Sequence, residues 1–314
     1  MENSTSQAYK SGFAAVMGRP NVGKSTLINA LLGQKIAAVS PRPQTTRRRQ
    51  LGILTLDRAQ VIFVDTPGVH HPRHKLGEWM VEEAIETLAD ADLILFLVDA
   101  EQAPTEDDQL LADSLKNLKK KIPVLLVLNK IDLINRTTQE ARRESYLALL
   151  PQTLVESGQV QAMFISATRG DGCHDLLEAI LAHLPEGAPL YPEGQITDLY
   201  EREIAADLIR EAALILLRDE VPHGINVRID EFTERGETGA YIHATLFTER
   251  ESHKGIVIGQ GGAMLKKIGV LARQEIEAMS GRKVFLELKV KVRKNWRNDE
   301  HALQGFGFKF RKQR

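Results

Sequence analysis

The chain has 314 residues, enough for two domains that each bury a core, and its 43% hydrophobic and 26% charged content is that of a globular protein, which excludes a disordered or fibrous class. Its single cysteine, Cys173, excludes an internal disulfide and suits a reducing cytosol; no apolar run nears the ~18 residues of a membrane span, and residues 1–11 hold no apolar signal core. The net charge of −1 hides an asymmetry: residues 254–314 carry 15 Lys and Arg against 5 Asp and Glu, so the end of the chain is a candidate footprint for a polyanion such as nucleic acid.

Residues 13–17 read as a buried strand and residues 26–32 as a helix closed by Gly33. Between them runs Gly18-Arg19-Pro20-Asn21-Val22-Gly23-Lys24-Ser25, followed by Thr26. This is the G-x-x-x-x-G-K-[ST] phosphate loop in the strand–loop–helix frame it requires. Its glycines let backbone N–H groups turn inward around an anion, and the helix N-terminus adds about half a positive charge. Lys24 can reach the β- and γ-phosphates, and the Ser25 hydroxyl can hold Mg²⁺. A polar loop follows, Ser40-Pro41-Arg42-Pro43-Gln44-Thr45-Thr46-Arg47-Arg48-Arg49.

Residues 51–56 and 61–64 read as strands joined by a turn at 57–60. The second ends in Asp65-Thr66-Pro67-Gly68, and a carboxylate at a strand's C-terminal end faces the ligand crevice of an open α/β sheet. Asp65 then supports Mg²⁺ and the Gly68 N–H can meet a γ-phosphate. His70, His71 and His74 cluster just beyond; no cysteine joins them, so a loop or partner contact is favoured over a metal site.

Helical spacing covers 76–88, and 93–98 is a continuous apolar strand of the kind buried on both faces of a parallel sheet. A helix over 106–118 and a strand over 124–128 lead to Asn129-Lys130-Ile131-Asp132. A carboxylate there accepts the N1 and N2 hydrogens of guanine, a donor pair that adenine lacks, while Asn129 can meet the purine's other edge. A strand over 163–165 precedes Ser166-Ala167-Thr168, whose backbone can contact guanine O6, and a helix covers 172–183. The alternation predicts an α/β fold, a doubly wound, mainly parallel sheet with nucleotide at the strand C-termini.

Three prolines and two glycines in residues 184–194 read as a linker of limited flexibility. Thr197 is the expected cap of a helix carrying Tyr200, Ile204, Leu208, Ala212 and Ile215. Alternation at Ile225, Val227 and Ile229, and from Tyr241 to Leu246, predicts strands; the strand from Val284 to Val292 has an apolar face and a basic face. Between these strands, from Lys254, lies Ile258-Gly259-Gln260-Gly261-Gly262, with Lys266 and Lys267 beyond. Ile-Gly-x-x-Gly between helical stretches is the KH loop, which lets a sugar-phosphate backbone approach closely beside a groove for about four unpaired bases. The tail interleaves cations with Trp296, Phe306, Phe308 and Phe310, which suits phosphate contact and base stacking if it is not a disordered basic terminus.

Four nucleotide motifs in register resemble the GTPase superfamily, and Asn21 with Thr45-Thr46-Arg47 narrows this to translation-factor-related GTPases with Era-type domains. The resemblance makes Thr46 the switch I hydroxyl closing on Mg²⁺ and γ-phosphate, with Thr45 the other choice. It also gives Asn21 a role in holding K⁺ near the phosphates, against a loop-shaping role only. Val69 stands where many such enzymes orient the attacking water with glutamine, so slow intrinsic hydrolysis is expected. An Era-type GTPase domain over 11–184, after a tail of 1–10, then a linker over 185–197, a type II KH domain over 198–295 and a tail over 296–314 resemble the Era family over nearly the whole chain. That resemblance implies a GTP/GDP switch, catalytic through Lys24, Thr46, Asp65 and Gly68, that binds 16S ribosomal RNA near its 3′ end and assists assembly of the 30S subunit. Two rival readings are an RNA scaffold with a vestigial nucleotide site, which intact Lys24, Ser25, Asp65 and Asp132 disfavour, and a peripheral membrane or cell-cycle GTPase with its basic tail on anionic lipid, which the KH loop disfavours as the main role while leaving peripheral association with the cytoplasmic membrane open beside it.

Overall fold

The computed structural model describes residues 8–40, 45–116, 118, 120–236 and 238–308. The elements up to the linker are β1 (Lys10–Met17), α1 (Lys24–Leu32), β2 (Gln50–Leu56), β3 (Ala59–Asp65), α2 (Lys75–Ala89), β4 (Leu93–Asp99), α3 (Glu106–Lys116), β5 (Val124–Asn129), α4 (Arg136–Leu147), α5 (Gln152–Glu156), β6 (Val160–Phe164) and α6 (Cys173–His183). The six strands form one sheet in the order β2-β3-β1-β4-β5-β6, with only β2 antiparallel to its neighbour. Every residue of β3, β4 and β5 is buried, as their unbroken apolar runs require between two helical layers. The ligand-bearing loops leave β1, β3 and β5 at their C-terminal ends.

After the linker come α7 (Glu201–Leu216), β7 (Asn226–Arg235), β8 (Gly239–Thr248), α8 (Glu251–Ile258), α9 (Ala263–Ser280), β9 (Lys283–Val292) and α10 (Glu300–Gly305). The sheet β7-β8-β9 pairs antiparallel and then parallel, and its inner residues Ile229, Ile242 and Ala244 share one core with Ile204 and Leu208 of α7 and Ile268 and Ile276 of α9. This is the expected α+β order of a type II KH domain.

Compact packing divides the chain into two units. The first runs to Lys35, resumes over Thr46–His71 and Met80–Asp198, and therefore includes the 185–197 segment predicted as a linker. Hydrogen bonds hold that segment against the first unit, as its limited flexibility predicts. Pro185 O accepts the Ser11 N–H, the Gln60 amide oxygen accepts from the N–H groups of Leu190 and Tyr191, and Ile196 O accepts from Ile53 N–H. The second unit is Leu199 onward together with Ile36–Thr45 and Pro72–Trp79.

Three expectations change. Helix α7 starts at Glu201, where the Glu203 carboxylate accepts the Tyr200 N–H at 3.2 Å, so Thr197 is not its cap. Helix α4 was not foreseen, because Tyr146 is its only buried residue and leaves no apolar stripe to read. The aromatic tail is core: Trp296 is fully buried, donates its indole N–H to Gly224 O at 3.0 Å, and meets Phe306 edge-on at 5.4 Å. Phe306 and Phe308 are buried too, so these rings do not stack on bases, and Phe310 with the remaining tail cations over 309–314 lies outside the described residues. So do residues 1–7 and residues 41–44 of the loop before Thr45.

Candidate functional site

The phosphate loop turns because its backbone enters the left-handed region at Asn21 (φ 66) and Gly23 (φ 101). Gly23 is also sterically required: a Cβ there would lie 2.4 Å from the Asn129 amide nitrogen. Lys24 is buried at the start of α1, and its Nζ donates to the loop's own carbonyls, Gly18 at 3.0 Å and Arg19 at 3.1 Å. Burial pulls its pKa down from 10.5 to about 8, with the Asp65 charge opposing. Around the loop, Val22 is buried, Asn21 is exposed, and Pro20 packs against Gly68, where an added Cβ would meet it at 3.0 Å.

Three oxygens from three segments meet beside the loop. Ser25 Oγ donates to Asp65 Oδ2 at 2.8 Å, Thr46 Oγ1 donates to the same oxygen at 3.0 Å, and the two hydroxyls are 3.0 Å apart. One carboxylate and two hydroxyls are hard donors of the kind Mg²⁺ takes, leaving its remaining positions to water and phosphate oxygens. The Thr46 hydroxyl reaches this cluster. Thr66 is buried and its hydroxyl donates to Val16 O at 2.8 Å, while Thr26 sits half-buried in the first turn of α1. Pro67 and Val69 are buried, the latter within the hydrophobic core.

At the base end, Asn129 is buried and works as a clamp. Its Nδ2 donates to Val22 O at 2.8 Å and its Oδ1 accepts the Ala167 N–H at 3.0 Å. Its oxygen is therefore engaged, and the second Nδ2 hydrogen is what it can offer a purine. Lys130 adopts φ 67 and its Nζ lies 2.7 Å from Asp99 Oδ2. Asp132 Oδ1 is shielded from solvent and has no hydrogen-bond partner among the described residues, which fits a carboxylate built for donors carried by a ligand. Ser166 is buried, its Oγ is 3.2 Å from Thr168 Oγ1, and its backbone closes the turn that presents Ala167.

In the second unit Gly259 has φ 71, and a Cβ there would lie 2.8 Å from Met264 backbone nitrogen, so the loop and the start of α9 can touch only through glycine. Gln260, Gly261 and Gly262 form one 3₁₀ turn leading into α9, with Ile258 ending α8 before it. A groove of about 390 Å³ runs between α9 and β9, lined by Gly262, Lys266, Val270, Arg273, Phe285 and Leu288 among others. The structure brings Lys266 to this groove; Lys267 is exposed beyond it, and Lys254 is on α8 facing Glu251 at 3.9 Å. Arg273 and Phe285 were not among the expected residues. Phe285 is 64% exposed on the outward face of β9, and an aromatic on a strand face otherwise read as basic was the available signal.

A phosphate loop, a magnesium-type oxygen cluster and a guanine-type carboxylate on a mainly parallel sheet define a P-loop GTPase, here joined to a KH domain. Family models concur: one described as a 50S ribosome-binding GTPase matches residues 13–130, and one described as a KH domain matches residues 220–297. GTPase Era of Halothermothrix orenii is 45% identical over 302 residues, 96% of this chain and 99% of that protein, and GTPase Era of Ruminiclostridium cellulolyticum is 47% identical over 305 residues, with coverage of 97% and 99%. Two crystal structures, Era in complex with MgGDPNP and nucleotides 1506–1542 of 16S ribosomal RNA and a point variant of Aquifex aeolicus Era bound to GDP·AlF4⁻, each align at TM-score 0.86 and 40% identity over 96% of this chain and all of theirs. The chain belongs to the Era family of GTPases.

Proposed function

We propose that this GTPase binds GTP and GDP through the residues assembled above and couples the nucleotide to a grip on single-stranded 16S ribosomal RNA. Lys24 takes the β- and γ-phosphates, the Gly68 N–H meets the γ-phosphate, and Ser25, Thr46 and Asp65 hold Mg²⁺. The ion, when bound, offsets phosphate charge as it develops. Asp132 accepts from guanine N1 and N2, and the Ala167 turn meets O6. The observation that carries the base assignment is the partnerless, solvent-shielded Asp132 Oδ1. Asp132→Asn replaces an acceptor with a donor and is expected to exchange guanine for xanthine preference, read by competition between GDP and XDP. Retained tight GDP binding by the variant would contradict the assignment.

No side chain at position 69 can orient water, since the valine is buried in the core, and this supports slow intrinsic hydrolysis. Asn21 stands at the loop's outer turn with φ 66, consistent with a K⁺ site beside the phosphates. Single-turnover hydrolysis is then faster in KCl than in NaCl; equal rates would remove the K⁺ assignment.

The RNA reading rests on the α9–β9 groove, whose cations Lys266 and Arg273 and exposed Phe285 suit phosphates and a stacked base. The solved relative holding nucleotides 1506–1542 supports the 3′ end of 16S RNA as target, and small-subunit assembly as the process served. No single helix among the described residues is long and apolar enough to cross a membrane.

A further inference from the structure

The carboxylate of Asp99, at the C-terminal end of β4, belongs to none of the four nucleotide motifs yet stands between two of them. It is 2% exposed. Its Oδ2 lies 2.7 Å from Lys130 Nζ and 4.0 Å from Arg19 Nη2, and its Oδ1 accepts the Glu101 N–H at 3.0 Å. Arg19 is a phosphate-loop residue, but its guanidinium is engaged elsewhere: it donates to Gln102 Oε1 at 2.8 Å and lies 3.4 Å from Asp108 Oδ2. Asp108 is fully buried and held by the Thr105 N–H and hydroxyl at 2.9 and 2.7 Å, so the socket that receives Arg19 is itself fixed.

Asp99, Asp108, Arg19 and Lys130 thus form a charge-balanced quartet with both carboxylates out of water. Two cations satisfy two desolvated anions, and removing either cation leaves a buried carboxylate short of counter-charge. The backbone repeats the tie: Asp99 pairs with Asn129 across β4 and β5, and Ala100 N–H donates to Asn129 O at 2.9 Å. Lys130 holds a left-handed φ of 67, a conformation that persists in a non-glycine residue where its surroundings fix it.

We infer that Asp99 is a positioning residue for nucleotide binding, holding Lys130 of the base site and Arg19 of the phosphate loop in one network so that the two ends of the nucleotide site are ordered together. It acts through Lys130 and Arg19 and rests on the base-site reading above. The test is a double-mutant cycle on the full chain, reading release of a fluorescent GDP analogue by stopped flow for Asp99→Asn, Lys130→Met and the pair. Asparagine keeps the shape and an acceptor oxygen but loses the charge, so release is expected to accelerate about tenfold in the single variant. In the Lys130→Met background the same substitution should change it little. Additive effects, or unaltered release from Asp99→Asn, overturn the inference while leaving the base site intact. A Lys130→Met chain that itself releases GDP at the unaltered rate overturns the inference, whereas an Asp132→Asn chain that keeps tight GDP binding removes the base-site reading, and this inference with it. Should Asp99→Asn fail to fold, Arg19→Lys, which keeps the charge and loses the fork, goes through the same cycle with the same criteria.

Discussion

Lys24 shows how one side chain couples protonation to ligand. Below pH about 8 its buried ammonium is charged and the folded chain bears the full cost of desolvating it. Between about 8 and the ordinary 10.5 the unfolded chain binds more protons than the folded one, so the empty protein gains stability as pH rises through that window. A phosphate works the other way. Its charge restores the ammonium, so binding above pH 8 must take up a proton, and affinity falls as pH climbs. Calorimetry of GDP binding at pH 9 in two buffers of different ionisation enthalpy should show uptake of about 0.9 proton, as for a group moved from pKa ~8 to its usual range. No uptake would mean that Lys24 does not meet the phosphates.

At the scale of elements, the loops depend on what their flanking strands and helices leave room for. The Gly259 turn is tight because α9 begins against it: φ 71 and a Met264 backbone atom 2.8 Å from any added Cβ leave no place for a side chain. Gly259→Asp adds both strain and a negative charge beside an expected phosphate. RNA affinity should fall at least about tenfold, as for loss of a phosphate contact plus repulsion, while GTP turnover without RNA stays unchanged. Filter binding and a phosphate-release assay read the two arms, and unchanged RNA affinity would cancel the loop assignment. The tail argues in the opposite direction. Trp296, Phe306 and Phe308 look like stacking residues in a basic run, but burying rings of this size contributes more than leaving them in water, and they pack against Gly224, Phe247 and Trp79 instead.

At the scale of the molecule, the proposed coupling of nucleotide to RNA has a route along the chain. Gly68 belongs to the first unit, whereas Pro72–Trp79, just downstream, groups with the second. Within that unit Lys75 pairs with Glu300 at 2.6 Å, and Trp79 meets Phe308 edge-on at 5.1 Å. Under the proposed function, a γ-phosphate that draws in the Gly68 turn acts just upstream of Pro72–Trp79, and RNA binding is expected to respond. RNA affinity measured with GDP and with a non-hydrolysable GTP analogue at matched salt should differ by at least about fivefold, the lower range of such couplings. Identical affinities for the empty, GDP and analogue-bound protein would sever the link.

What the sequence by itself determined here is whatever depends on short-range spacing. The phosphate loop, Asp65, Asp132 and the Gly259 turn were legible because each works through backbone geometry within a few residues, and the buried strands through uninterrupted apolar runs. Only the tertiary structure decided which distant groups share a charge or a surface. Asp99 joins Arg19 to Lys130 across gaps in sequence that no local pattern records, Asn129 ties the phosphate loop to the Ala167 turn, and the Thr46 hydroxyl reaches Asp65. The tail rings and the strapped linker followed the same rule: burial and hydrogen bonding are won between segments far apart in the chain, so composition alone leaves their outcome open.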